Sequence, residues 1–69
     1  MQLSTRNQLR ATVTDVHHGE VMSAVKVTLG TGETITAAIT REAAEELHLA
    51  QGGAVTVLIK ATEVMLATD

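Results

Sequence analysis

One pattern dominates this chain: apolar residues recur at every second position through several short runs, and a single stretch breaks the rhythm. Leu9, Ala11 and Val13 alternate with Arg10, Thr12 and Thr14. Val21, Ser23, Val25, Val27 and Leu29 share one parity, opposite Met22, Ala24, Lys26 and Thr28. Ile35, Ala37 and Ile39 follow, then Val55, Val57 and Ile59. Successive side chains of a strand point to opposite faces, so each run reads as a half-buried β-strand. The parity slips at Val16, which marks a β-bulge. His17-His18-Gly19 reads as a turn, and Gly30-Thr31-Gly32 as a tight connection. A short fifth strand is expected over Glu63 to Ala67.

The exception is Thr40-Arg41-Glu42-Ala43-Ala44-Glu45-Glu46-Leu47, which is rich in helix formers and has no β-branched residue after Thr40. Thr40 suits an N-cap, and Glu42 suits the first turn, where the helix dipole favours acids. Leu47 and Leu49 are expected to pack inward. Gly52-Gly53 closes the excursion. The order is three strands, a helix and two strands. It predicts a mainly β fold: a small five-stranded OB-like barrel with one short helix between strands 3 and 4. Residues 1–69 are read as a single domain, without repeat or linker.

The core has unusual material to work with. The sequence has 69 residues and contains no Cys, Phe, Tyr or Trp. No disulfide or thiolate-bound metal can staple it, and its interior must come from Val, Ile, Leu, Met and Ala. A chain this short buries only about 60% of its unfolded surface. Without staples, such domains draw stability from association, so an oligomer is expected.

Charge narrows the partners. The formal net charge is −3 with only five Lys and Arg. Phosphate-backbone binding draws on clustered cations, and single-strand binding on aromatic stacking, so no nucleic acid is expected as a partner. No apolar run reaches membrane-spanning length, and the opening residues lack the layout of a secretory signal. No membrane partner and a cytoplasmic location are expected. Neither a Cys nucleophile nor a Ser-His-Asp set at meaningful spacing is present, so the chain reads as a non-enzyme. His17, His18 and Glu20 invite a metal reading, but neighbouring strand residues face opposite ways, and no metal cation site is assigned.

Four segments, taken in order, resemble one family. Ser4-Thr5-Arg6-Asn7-Gln8-Leu9 is similar to the opening S-x-R-N-x-L of the molbindins, the small Mop-type molybdate-binding proteins of the TOBE/OB-like group. Gly19-Glu20-Val21 with Val25 resembles their second-strand pattern. Ile39-Thr40, then Glu45-Glu46-Leu47-His48-Leu49 and Gly52, resemble the I-T…L-x-L-x-x-G stretch. Within Val57-Leu58-Ile59-Lys60-Ala61-Thr62-Glu63-Val64, the run from Ile59 to Val64 is similar to the closing I-K-A-x-x-V. Together these segments cover essentially the whole chain.

The resemblance implies an OB-like fold and a homohexamer built as a trimer of dimers. It implies molybdate or tungstate as the bound ligand, held between subunits, with a role in intracellular storage and homeostasis and no catalytic cofactor. It assigns Ser4, Arg6, Lys60 and the Ala61 amide to one subunit, and Thr40, Ala43 and the helix start to its neighbour. These residue types suit a tetrahedral dianion whose oxygens only accept. Arg6 offers a fork of donors, Lys60 a compact charge, and Ser4 and Thr40 hydroxyls. Helix-start amides add further donors. Many members of the family carry Ser where this chain has Ala43, which leaves only a backbone amide there. Ala11 stands where Gly is frequent. A second site near the threefold axes is also implied, for which Gly19, Glu20, Val21 and Met22 are the candidates. The competing readings are a purely structural oligomerisation module and an OB-like nucleic-acid-binding domain.

Overall fold

The computed structural model describes residues 4–69. Its elements run β1 (Asn7–His18), β2 (Met22–Leu29), β3 (Thr34–Thr40), α1 (Arg41–Glu46) and β4 (Ala54–Ile59), followed by a 3-10 turn at Ala61–Glu63. The strands form one antiparallel sheet in the order β3-β2-β1-β4.

The long strand β1 organises this sheet. Its first half pairs with β4, from Asn7 opposite Ile59 to Thr12 opposite Ala54. Its second half pairs with β2, ending at His18 opposite Ser23. The register slips between Val13 and Asp15, so a bulge sits where the parity of the sequence breaks. A bulge sharpens twist and bends its strand, and this one lies just past Thr12, where the pairing with β4 ends. The connection before β4 is fastened at the same place: Val13 N–H donates to Gly53 O, and Gly52 N–H to Val13 O, both at 2.8 Å. Gly52 takes φ of 89°, a left-handed backbone that glycine adopts freely.

The alternation has the predicted consequence. Ala11, Val13, Val25 and Val27 are buried, and Val16, Leu29, Ile35, Ile39, Leu49, Val55 and Val57 pack around them. Ser23 is the one buried polar residue among those described, and its Oγ shares a 2.7 Å hydrogen bond with His18 Nδ1. Across the outer face, Thr14 and Thr28 hydroxyls meet at 2.6 Å.

Helix α1 begins and ends on recognisable caps. Thr40 Oγ1 accepts from Ala43 N–H at 3.1 Å. At the other end His48 N–H donates to Glu45 O at 3.0 Å and Leu49 N–H to Ala44 O at 3.2 Å. With His48 at φ 53°, this is a Schellman motif whose left-handed position holds a histidine in place of the usual glycine. Leu49 is half-buried at this cap and Ala44 is buried.

Several expectations change. His17 and His18 belong to β1, and the turn lies at residues 19–21, because β2 pairs with β1 as far as Ser23. Val21 therefore falls in the turn and is 72% exposed. Leu47 is 65% exposed, since the helix stops at Glu46 and the cap turns Leu49 inward in its place. Among the described residues the sheet has four strands. Beyond the 3-10 turn, the segment expected as a fifth strand has no sheet partner, and Met65 and Leu66 project into solvent. The described fold is thus a curled, open antiparallel sheet with one helix, consistent with an OB-like half-barrel.

Two global quantities reflect that openness. The radius of gyration is 12.7 Å, against about 11 Å for a compact chain of this length. The accessible surface is 5686 Å², against about 4,200 Å² for a monomeric protein of this mass.

Candidate functional site

The pairing of β1 with β4 creates the first half of the candidate site. Asn7 and Ile59 are the last paired residues at one end, and Asn7 Nδ2 also donates to Ile59 O at 3.1 Å. Ser4 and Arg6 enter the sheet at this end, and Lys60 and Ala61 leave it there. The register places Arg6 and Lys60 next to the paired Asn7 and Ile59, at one end of the sheet, with Ser4 and Ala61 further along the chain on either side. Ser4, Arg6, Lys60 and Ala61 are all exposed. After Lys60 the chain turns: Glu63 N–H donates to Lys60 O at 2.9 Å.

The second half lies elsewhere. Thr40 pairs with Met22 at the start of β2, next to the end of β1 at His18. Strands rise about 3.3 Å per residue, so most of the length of β1 separates this end from the Asn7 end. One chain therefore carries the two halves of the expected site at opposite ends of its sheet.

Around Thr40 the local bonding is dense. Arg41 N–H donates to Val21 O at 2.8 Å, and Arg41 Nη1 to Gly19 O at 3.4 Å. Arg41 Nε also donates to Glu45 Oε1 at 2.7 Å. Arginine thereby ties the 19–21 turn to the helix start. Sequence reasoning passed over Arg41, although its i,i+4 spacing to Glu45 was the available signal. Gly19 N–H donates to Met22 O at 2.7 Å, and a Cβ on Gly19 would stand 2.9 Å from that same oxygen. Gly19 is required by this close approach.

The turn contacts join two predicted sites. Glu20 and Val21, candidates for the threefold-axis site, line one shallow hollow of about 380 Å³ with Thr40, Arg41, Glu42 and Glu45. Met22 is half exposed beside it, paired with Thr40. The hollow is acidic: three carboxylates line it with a single guanidinium. The Arg41 guanidinium holds the Glu45 carboxyl below its usual range by hydrogen bond and charge, with a smaller contribution from His18. Glu45 thus remains anionic well below neutral pH. The Ala43 amide, expected as a ligand donor, is engaged by Thr40 Oγ1 in the single chain.

These two half-sites have complementary character. The Asn7 end offers two cations with a hydroxyl and an amide. The Thr40 end offers a capped helix start and a hydroxyl in an acidic setting. A dianion held at the second end alone would face net repulsion.

Comparison with known proteins gives a consistent picture. The profile of the TOBE domain matches residues 3–66. The chain is 49% identical over 67 residues to molybdenum-pterin-binding protein MopA of Rhodobacter capsulatus, covering 97% of this chain and 25% of that protein. It is 33% identical over 69 residues to a probable molybdenum-pterin-binding protein of Haemophilus influenzae, covering all of both. The chain thus spans about a quarter of the first of these curated relatives and the full length of the second. Among solved structures, a molybdate-binding protein from Sporomusa ovata superposes with a TM-score of 0.93 at 38% identity, over 99% of this chain and all of that one.

Proposed function

This chain belongs to the TOBE-domain family as a Mop-type molbindin, and we propose that it binds molybdate between copies of itself, to store and buffer the anion in the cytoplasm. Tungstate, nearly the same in size and charge, is an equivalent ligand. The role is binding without catalysis. The assembly is a homohexamer, a trimer of dimers.

One observation carries the reading: the cationic and helix-start half-sites lie at opposite ends of one chain, so a single site needs two chains. In this arrangement Arg6 and Lys60 supply charge-assisted donors, which are shorter and stronger than neutral ones. The Ser4 hydroxyl and Ala61 amide complete that side. From the neighbour, Thr40 donates its O–H while its oxygen continues to accept from Ala43 N–H, since a hydroxyl can do both. Ala43 contributes at most its amide, so this site has one hydroxyl fewer than a relative with Ser there. A second site at the Gly19–Met22 turn requires the Glu20 carboxylate to point away from the anion.

Native mass spectrometry with molybdate, with sulfate as control, tests the reading. A hexamer that gains discrete molybdate masses and no sulfate supports it. A hexamer that takes up neither anion leaves a structural oligomerisation module, and a monomer removes the intersubunit site.

A further inference from the structure

The one buried polar side chain among those described has no part in the site so far. Ser23 is 2% exposed, and among the described residues its hydroxyl has a single partner, His18 Nδ1 at 2.7 Å. The two residues face each other across β1 and β2, two positions beyond the inward pair Val16 and Val25. Ser23 is buried there, while His18 is exposed.

That bond suits an imidazole that changes charge. A hydroxyl both donates and accepts. A neutral ring accepts from Ser23 O–H at Nδ1, and a charged ring donates Nδ1–H to Ser23 Oγ. The ring is therefore held in one place in both protonation states. A proton taken from solvent becomes a charge at a fixed position, not one on a side chain free to swing away.

The position is the Thr40 end of the sheet. Ser23 pairs in turn with Ile39, the neighbour of Thr40. Two strand spacings of about 4.8 Å and one residue along β3 put His18 about 10 Å from Thr40. The charge of His18 also helps to hold the Glu45 carboxyl below its usual range, behind the larger effect of Arg41. The other charged groups here are Glu20 in the turn and Arg41 and Glu42 at the helix start. Arg41 Nη1 lies 3.4 Å from the carbonyl oxygen of Gly19, the residue after His18. Strand β3 has no ionisable residue, and on β2 Lys26 lies farther along, opposite Asp15. His17 pairs with Ala24 on the opposite face of the sheet.

We propose that His18, pinned by Ser23, takes up a proton as a dianion binds at the Thr40 end, so that anion affinity rises as pH falls. The proposal rests on molybdate binding at Thr40, as in the functional reading above, and adds its regulation by pH. The carboxylates of this end repel a dianion, and a positive charge beside them offsets part of that repulsion. Between about pH 8 and pH 6 carboxylates ordinarily stay ionised, and imidazole is the side chain that changes charge. If a proton on His18 favours the anion, the bound anion favours the proton by the same factor. A unit charge about 10 Å from a dianion in water changes affinity about fourfold when salt is low.

Calorimetric titration of the full chain with molybdate at about pH 8 and about pH 6 tests the linkage. Salt is kept near about 10 mM, where the screening length is about 30 Å. The parent should bind about two- to fourfold more tightly at the lower pH. His18→Asn, whose Oδ1 can take the place of Nδ1 toward Ser23, should bind equally at both. His17→Asn should keep the parent's dependence. Nitrogen-15 NMR of the His18 ring is a second measurement that needs no variant. Saturating molybdate should displace its titration midpoint upward by about half a pH unit. Equal affinity of the parent at the two pH values would overturn the proposal, as would a dependence that survives in His18→Asn or a midpoint that molybdate leaves unmoved. Each of those results leaves the anion site standing. No molybdate uptake at either pH would overturn both readings.

Discussion

Replacing Thr40 separates what holds the helix from what would hold the anion. In the structure Thr40 Oγ1 caps α1 by accepting from Ala43 N–H at 3.1 Å. Losing an N-cap hydroxyl to alanine costs about 1 kcal/mol. In a domain of this size that lowers the midpoint of thermal unfolding by about 4–8 °C. Thr40→Ala also removes a donor to a charged acceptor, worth about 1.5–3 kcal/mol, so molybdate affinity should fall roughly 10- to 150-fold. Thr40→Asp is the sharper change. Aspartate caps as well as threonine, so stability in the absence of ligand should stay near the parent's. It sets a new negative charge against the anion, however, in a hollow that already holds Glu20, Glu42 and Glu45. Two unit charges about 4 Å apart near a protein surface repel by about 4 kcal/mol, so affinity should fall by about 1,000-fold or more. Calorimetric titration reads the affinity. Far-ultraviolet circular dichroism at fixed chain concentration reads the melting, because the chain has no Trp or Tyr for fluorescence. Parent-like molybdate binding by Thr40→Asp would refute the placement of the anion at Thr40. Parent-like melting of Thr40→Ala would refute the cap.

The remaining expectations are briefer. Arg6→Ala and Lys60→Ala should each weaken molybdate binding by about tenfold or more, as each removes a charge-assisted donor; unchanged titration curves for both would sink the cationic half-site. Val13 is 1% exposed at the centre of the core, so Val13→Ala, which removes two methyl groups and leaves a cavity, should destabilise by about 2 kcal/mol in chemical denaturation. His48→Gly should raise the melting temperature, because a left-handed residue with a side chain is strained by about 1–2 kcal/mol, against which glycine's greater unfolded-state entropy is set. Glu45 is held below its usual range by Arg41. Its contribution to stability is therefore present above the carboxyl's unfolded value and is lost as pH falls through the lower folded one. Glu45→Gln should flatten the acid limb of a stability-versus-pH curve below about pH 4.5, and leave it unchanged near neutrality apart from the small value of an exposed pair.

The strands were legible because alternation is enforced by burial on one face. Val25 and Val27 on β2 and Ile35, Ala37 and Ile39 on β3 all fall on the inner side as the parity requires. The bulge was legible for the same reason, since an extra residue must shift every later side chain to the other face. Where the reading missed, the deciding contact was not local. His17 and His18 look like turn residues beside Gly19, but pairing with β2 and the bond to Ser23 extend the strand through them. Leu47 has the spacing of a core residue, yet the left-handed His48 redirects the chain and buries Leu49 in its place. The fifth strand has a sound alternating pattern, but a strand exists only with a neighbour, and the single chain gives it none. At the site, the nearness of Arg6 and Lys60 was implied only by resemblance until the β1–β4 register supplied the geometry. The acidity of the Thr40 hollow was open to the sequence in part: Glu42 and Glu45 lie on the helix itself. Glu20 joins them because Arg41 fastens the turn to the helix, a contact between residues 22 positions apart.

That fastening bears on how anion binding and assembly would be linked. The Thr40 end of an isolated chain carries carboxylates that repel a dianion. The Asn7 end carries cations without the helix start, so neither end alone forms a complete receptor. On the proposed function, affinity would appear only where two chains meet, and a ligand that binds only the joined state would stabilise it by mass action. At free anion about 100 times the dissociation constant, each site adds about 2.7 kcal/mol to the assembly. On the proposed function, the arrangement would tie the oligomer's stability to the amount of molybdate available. If association and uptake are linked in this way, dilution without molybdate should dissociate the protein at a higher chain concentration than dilution with it. Sedimentation at a series of concentrations would measure the displacement. Identical dissociation curves with and without saturating molybdate would mean that the anion binds within one chain or not at all.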